Sequence, residues 1–390
     1  MTSRLIVNSI RHTGGSADAV TLASDGTCTA NITSIGSSQL SNRNKIINGS
    51  MICSQRGTSE TGVNSSGYKN APDRWTHQIA SSQSAYTVSQ STDSPDGFAN
   101  SYKIDVTTAD TSLHADHVHF FRQKIEGQNL QDFAKGTSSA KQFALSFYVK
   151  TTKTGTYVLE LYDVDNSRQI SKTYTVSDTN WNRYTLIFPA DTTGAFGNDN
   201  GNSFAVQFYL SAGANYTSGT LNSSAWASAT QANRAVGQVN FDDSTSNDWY
   251  LTGVQLEVGS VATDFEHRSF GDELARCQRY CQTIIQYVQH QSIAIGHSEG
   301  TDTCEVIIPF KGQMRATPTF TYTGSNLRIY ERGGVIPTVT SIIIERTGYD
   351  AAKMQITVNA TDLLNGNANL LYFYDNPSTP AQRLIFSAEL

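Results

Sequence analysis

The stretch WYLTGVQLEVGSVATDFEHRS, residues 249 to 269, decides how this chain is read. Its first ten residues read as the last strand of a β domain and the rest as a polar exit, with no nucleophile–base pair, phosphate loop or metal quartet among them. Upstream, the same period-2 signal returns. In FALSFYVK (143–150), Phe143, Leu145, Phe147 and Val149 share one face while Ser146 and Lys150 lie on the other. In FAVQFYL (204–210), Phe204, Val206, Phe208 and Leu210 do the same. YVLELYD (157–163) and RYTLIF (183–188) add two more strands, and loops such as DTTGAFGNDNGN (191–202) separate them. Helical patterns are scarce between 44 and 268, so an antiparallel sandwich is expected there.

The bulk numbers agree. A chain of 390 residues suits two or three domains. With 38% hydrophobic and 16% charged residues it is globular, and its richness in Ser, Thr, Asn, Gly and Tyr favours β structure. A net charge of −6 without a basic stripe argues against nucleic acid as a partner. Five scattered cysteines, Cys28, Cys53, Cys277, Cys281 and Cys304, do not describe a disulfide framework, and reduced thiols are the simpler reading. Arg4 precedes a short apolar run, LIV, that Asn8 interrupts, so no signal-peptide core is expected there. Nowhere do ~18 apolar residues run together, so membrane insertion is not expected.

Residues 1–43 form a separate arm rich in Ser, Thr, Gly and Asn. AVTLASDGTCTANI offers two alternating segments around Asp25-Gly26, a favourable hairpin turn. A lone hairpin is marginal in water, so the arm is expected either to order against another chain or to remain a loose tail. Beyond the sandwich, SFGDELARCQRYCQTI predicts a connecting helix over 269–284. Ser269 and Asp272 make a capping-box-like start, and Leu274, Cys277, Cys281, Ile284 and Val288 follow 3-4-3-4 spacing. That seam fits a helix docked on its own sandwich or one packed around a symmetry axis. Residues 285–390, with CEVIIPF, TPTFTYTG, SIIIER, MQITVNA, LLYFYD and RLIFS, read as a small C-terminal β domain.

Candidate chemistry is thin. HADHVHF gathers His114, Asp116, His117 and His119, but in a strand His117 and His119 share one face and the other two share the opposite one, so no three ligands converge locally. Cys277 and Cys281 could join His267 or Cys304 around a metal, and buried small hydrophobes explain them as well. Asp242, Asp243 and Asp248 in FDDSTSNDWY could supply the two carboxylates of a glycan hydrolase, and a solvated turn fits equally. Trp226 and Tyr216 lie in the long connection NYTSGTLNSSAWASATQ, where aromatic faces could stack on sugars, or where the indole could plug a core edge. Trp75, Trp181 and Trp249 adjoin strands and are expected in the core.

NKIINGSM, residues 44–51, resembles the opening strand of jelly rolls of the carbohydrate-binding-module type, and WYLTGVQLEV resembles their closing strand. DRW at 73–75, RQKIEGQNL at 122–130, LSFYVK at 145–150, the run from Leu251 to Tyr280, and the start SRLIVNSIRHTGGSADAVTLASDGT resemble tail fibre or structural virion proteins of tailed, marine-type phages. The resemblance covers most of the first 280 residues. It implies an all-β fold: an antiparallel jelly-roll β-sandwich with an N-terminal arm, one connecting helix and a small C-terminal β domain. It further implies a non-enzymatic virion protein assembled in the host cytoplasm, anchored to other virion proteins through Arg4, Ile6, Asn8, Ile10, Arg11 and His12 of the arm. Its partner would be a host cell-surface glycan, and its state a homotrimer joined through Leu274, Cys277 and Cys281. The alternatives are a capsid-attached decoration protein and a glycan depolymerase. Jelly rolls of this type carry a structural calcium held by acidic residues near both terminal strands; Met51 stands where a carboxylate is often found, so no metal or cofactor is expected.

Overall fold

The computed structural model describes residues 7–11, 13, 20–22, 24, 28–30, 42–323, 326–331, 333–375, 377 and 381–390. The alternating segments read from the sequence form two facing antiparallel sheets. One has seven strands in the order Ala227–Ser228, Arg168–Val176, Gly155–Asp163, Asn202–Ala212, Val118–Glu126, Thr76–Ala80, Gly67–Tyr68. The other has six: Asn182–Phe188, Phe143–Thr151, Asp248–Val258, Ser101–Thr108, Ala85–Ser91, Ser59–Val63. The chain crosses repeatedly between them, as from Phe143–Thr151 to Gly155–Asp163, which gives the jelly-roll sandwich.

Alternation sends one side chain in two into the space between the sheets, and aromatic rings fill it. Trp75 stacks on Phe121 with centroids 5.0 Å apart, and Phe121 and Phe208 both meet Trp249, at 6.1 and 5.9 Å. Each ring removed from water contributes about 1.5–3 kcal/mol, so this aromatic seam is the main cohesive element of the sandwich. Trp75 and Trp249 are buried as expected, whereas Trp181 is only half-buried and donates to Asp93 Oδ1 at 2.9 Å.

Residues 44–51 run beside the closing strand Asp248–Val258 but are not themselves a strand. Asn48 and Met51 have φ of 58° and 60°, which breaks any extended run. Two backbone bonds remain, Lys45 N to Leu256 O (2.8 Å) and Val254 N to Gly49 O (3.0 Å), and side chains supply the rest. Asn44 Oδ1 accepts from Leu256 N (3.1 Å) and Ile46 N (2.9 Å), and its Nδ2 donates to Val254 O (3.1 Å). A Cβ at Gly49 would collide with the Val254 carbonyl, so only glycine permits this approach. Arg268, at the far end of the exit segment, donates to the carbonyls of Asn44 and Ile46 and to the carboxylates of Glu266 (3.2 Å) and Glu273 (3.3 Å). One guanidinium thus bridges the entry and exit of the sandwich.

The helix is shorter than expected. It spans Phe270–Gln278, with Ser269 Oγ capping Asp272 N as the sequence suggested. The β-branched run CQTII then goes extended, and Cys281–Ile285 pairs with Arg383–Ser387. Cys281 therefore lies on a strand, and both Cys277 and Cys281 are buried within this chain, the former beside Cys53. Glu273 is buried as well and accepts from Asn48 N. The face assigned to a three-chain seam is turned onto the chain's own sandwich, with Leu274 half-buried at its side.

The C-terminal unit has its own core, including Ile329, Met354, Ile356, Leu371 and Phe373. A three-stranded sheet (Cys281–Ile285, Arg383–Ser387, Thr319–Thr323) lies beside a six-stranded one ordered Leu327–Glu331, Ala368–Phe373, Ser292–Ser298, Thr303–Pro309, Ala351–Val358, Val339–Thr347. The unit is clamped to the sandwich by its last residues. Glu389 pairs with Arg56 (3.1 Å) and with Arg74, and the Arg74 guanidinium carbon lies 3.4 Å from the centre of the Tyr280 ring. Arg315 binds the carbonyls of Ala388 (2.7 Å), Glu389 (3.0 Å) and Asn200 (2.9 Å).

In the arm, Val20–Leu22 pairs antiparallel with Cys28–Ala30, as a hairpin there requires, while its Asp25-Gly26 turn lies outside the described residues. So do Arg4, Ile6 and His12. Of the other anchoring candidates, Asn8 O accepts from Leu22 N at 2.8 Å, and Ile10 and Arg11 are exposed.

Candidate ligand-binding groove

The outer face of the seven-stranded sheet carries a groove of about 350 Å³. Its floor follows from alternation along Val118–Glu126: Phe121, Gln123 and Ile125 face inward, so Phe120, Arg122 and Lys124 face out. Register then aligns their neighbours. Arg122 stands opposite Gln207, Phe120 opposite Gln78 and Tyr209, and Lys124 opposite Ala205, which itself faces Tyr162 on the next strand. The connection after Asn202–Ala212 curls back over this face, where Tyr216, Leu221 and Ala235 pack on Val118, Phe120, Val158 and Tyr209. That packing brings Tyr216 and Arg234 to the rim.

Charge on the floor is unevenly matched. Glu160, fully buried, is held by Arg234 through Nε (2.8 Å) and Nη2 (2.7 Å), and receives Gln207 Nε2 (2.8 Å) and Tyr209 OH (3.2 Å). Arg234 is thereby neutralised, and its guanidinium lies 4.9 Å from the Tyr162 ring centre. Arg122 has only amide oxygens: Gln78 Oε1 at 3.1 Å and Gln207 Oε1 at 3.3 Å, with its buried Nε unpartnered. Burial, with Arg234 nearby, holds its pKa below the usual arginine value, yet an arginine stays charged at neutral pH. Lys124 Nζ donates to the Leu390 backbone oxygen at 2.6 Å; burial first and Arg122 second bring its pKa down to about 8. None of the described residues lining the groove is acidic. Rings at the rim, amides between them and under-neutralised cations on the floor can stack on a sugar, bind hydroxyls and attract an anion.

The sequence-derived candidates separate. Tyr216 does line the groove. Trp226, from the same connection, points away from it: it is 7% exposed, donates to Pro189 O at 2.8 Å and packs on Phe143 and Phe204. It plugs the core edge and offers no face to a ligand. Asp242 is not in a solvated turn. It is buried, and it draws together His117 (Nε2 at 3.1 Å), His119 (Nδ1 at 3.3 Å) and Ser211, while Asp110 Oδ2 lies 3.5 Å from His117 Nδ1. Burial opposes ionisation of Asp242, but His119 and the three hydrogen bonds outweigh it and hold its carboxyl well below the usual range. His77 joins the chain at 3.3 Å from His119, and burial keeps its pKa far under the ordinary histidine value. His114 and Asp116 are exposed. The four described cysteines whose side chains are placed, Cys53, Cys277, Cys281 and Cys304, are free and buried, and burial pushes the Cys304 thiol up to about 12. Ligand atoms do converge at His297, Glu299 and Glu305, but Lys353 Nζ already pairs with Glu305 there.

Sequence reasoning missed Arg122, Lys124 and Phe120. The sequence shows their side of the strand: in HFFRQKIE, Phe120, Arg122 and Lys124 share one face, opposite Phe121, Gln123 and Ile125.

No family model matches this chain, and no curated protein matches it. Among solved structures it is similar to a family 11 carbohydrate-binding module from Clostridium thermocellum in complex with a mixed-linked β-1,3-1,4 tetrasaccharide. That match has 11% identity and a TM-score of 0.27, covering 54% of this chain and 99% of that one. It is also similar to an apo cyclase from a Fischerella species (10% identity, 53% and 99% covered, TM-score 0.28). A third is the tandem CBM22-1–CBM22-2 domain of Xyn10C from Paenibacillus barcinonensis (9% identity, 86% and 99% covered, TM-score 0.24). At such values none of the three assigns a role to a residue here.

Proposed function

We propose that this chain is a non-catalytic glycan-binding protein whose ligand lies in the groove of the seven-stranded sheet. The observation that carries the reading is the groove's lining: the part-exposed rings of Tyr162 and Tyr216 beside the amides of Gln78 and Asn202, on a rigid sheet whose floor includes the buried Phe120. Such a lining recognises sugars by stacking on their C–H faces and bonding their hydroxyls. Glycan hydrolysis needs two carboxylates flanking the bond, whereas the one carboxylate beneath this floor, Glu160, is buried and spent on Arg234. Binding to an oligosaccharide array, lost in Tyr216→Ala and in Tyr162→Ala and kept in Trp226→Ala, is the expected result; array binding indifferent to the two groove variants refutes the site.

The wider setting we propose is a phage fibre or other virion protein, with the N-terminal arm as the anchor and the sandwich and C-terminal unit displayed towards the host. The resemblance of the arm and of the run from Leu251 to Tyr280 to such proteins supports it. Adsorption competition tests it: purified chain added to host cells before phage should block attachment. Capture of purified capsids without any such block favours the decoration role. Light scattering of the intact chain reads its association, for which a mass of three chains is expected.

A further inference from the structure

Within that glycan-binding reading, we infer that the ligand is an acidic glycan, and that an anionic substituent, carboxylate or sulfate, sits against Arg122 and Lys124. Two cations stand next but one on a single strand face, about 7 Å apart along the strand. Both are partly removed from water; Lys124 Nζ has a main-chain oxygen, that of Leu390, at 2.6 Å, whereas the Arg122 guanidinium is bonded to no carboxylate, which raises the free energy of its charge unless a counter-charge arrives. Their surroundings hold carboxylates that are already committed: Glu160 to Arg234, and Glu389 to Arg56 and Arg74. Arg122 instead spends two N–H groups on the neutral oxygens of Gln78 and Gln207, and a guanidinium has five to give. Those two amides fix the plane of the guanidinium, and Phe120, 5.2 Å from it, supports the same orientation. The result is a positioned, under-neutralised cation on an open floor, flanked by rings.

A neutral polysaccharide would gain nothing from this arrangement, since its hydroxyls are served by the amides alone. A nucleic acid would call for a longer basic track than two residues, in a chain carrying a net charge of −6. Charges spaced along a sugar chain match a short groove with rings at its rim.

Two matched probe pairs test the inference by titration calorimetry: oligogalacturonate against its full methyl ester, and a sulfated galactan oligosaccharide against its desulfated form. At least one acidic member should bind about tenfold or more tighter than its uncharged partner, as expected for hydrogen bonds to a charged group. That comparison alters the ligand alone, so it stands even if Arg122→Met folds poorly. Lys124→Met, on a less buried side chain, should weaken the acidic member several-fold more than the neutral one. Equal binding within both pairs, still abolished by Tyr162→Ala, overturns the acidic preference while the glycan reading survives. Silence of all four probes overturns both. Tighter binding of a single-stranded DNA 12-mer, lost in Lys124→Met, reassigns the groove to nucleic acid.

Discussion

Replacing Glu389 by alanine should separate the two halves of this protein thermally. The side chain is 5% exposed and lies between two guanidiniums, Arg74 at 1% and Arg56 at 8% exposure. Without it, Arg56 keeps Asp73 (3.4 Å), but Arg74 keeps only the Lys124 carbonyl (2.8 Å) and the Tyr280 ring. An orphaned buried charge of this kind costs about 3–5 kcal/mol, which for a unit of roughly a hundred residues lowers its melting point by about 12–20 °C. Scanning calorimetry should show the loss, with the C-terminal unit and sandwich melting apart where the parent's transitions are coupled. Arg74→Met with Glu389→Ala should recover much of the deficit, because removing both charges leaves no unpaired ion. A Glu389→Ala transition within about 2 °C of the parent, or a double variant as unstable as the single, would refute the clamp.

Arg268→Met removes the bridge between entry and exit and leaves Glu266 and Glu273 without their shared cation, a loss of about 3 kcal/mol expected in the urea midpoint. Trp226→Ala should cost about 3–5 kcal/mol through the cavity it opens beside Phe143 and Phe204, with groove affinity unchanged in parallel titrations. Lys124, facing Arg122, Arg74, Arg315 and Glu389, has its pKa lowered to about 8. Between that value and its ordinary ~10.4 the unfolded chain binds the extra proton, so stability should rise as pH climbs from about 8 to 10. Affinity for an acidic ligand should fall over the same range; a flat profile for both, unaltered by Lys124→Met, would count against the shift.

The strand faces were legible from sequence wherever both neighbours of a position agreed on its side. Phe143, Leu145, Phe147 and Val149 all fill the core, as do Phe204, Val206, Phe208 and Leu210, because period-2 alternation is a local property. The helix end was not, since Cys281 satisfies a heptad seam and a strand equally, and only its pairing with Ser387, more than a hundred residues on, decides between them. Asp242 looked solvated for a similar reason: its partners His117 and His119 come from another strand, and no spacing in FDDSTSNDWY announces them. The groove shows the same limit from the other side. Tyr216 was singled out and does line it, but Trp226 drew attention by its size, while Arg122 acquires meaning only once Gln78, Gln207 and Arg234 converge from three other segments.

The strand that enters the C-terminal unit, Cys281–Ile285, pairs directly with Arg383–Ser387, which leaves it, and Arg74 touches both Tyr280 on the way in and Glu389 on the way out. Tension applied to that unit would therefore reach the sandwich through the covalent chain and through side-chain links, the ion cluster and the Arg315–Asn200 bond among them. The groove lies at the same junction, since its Lys124 donates to the Leu390 backbone oxygen, one residue past the ion cluster's Glu389.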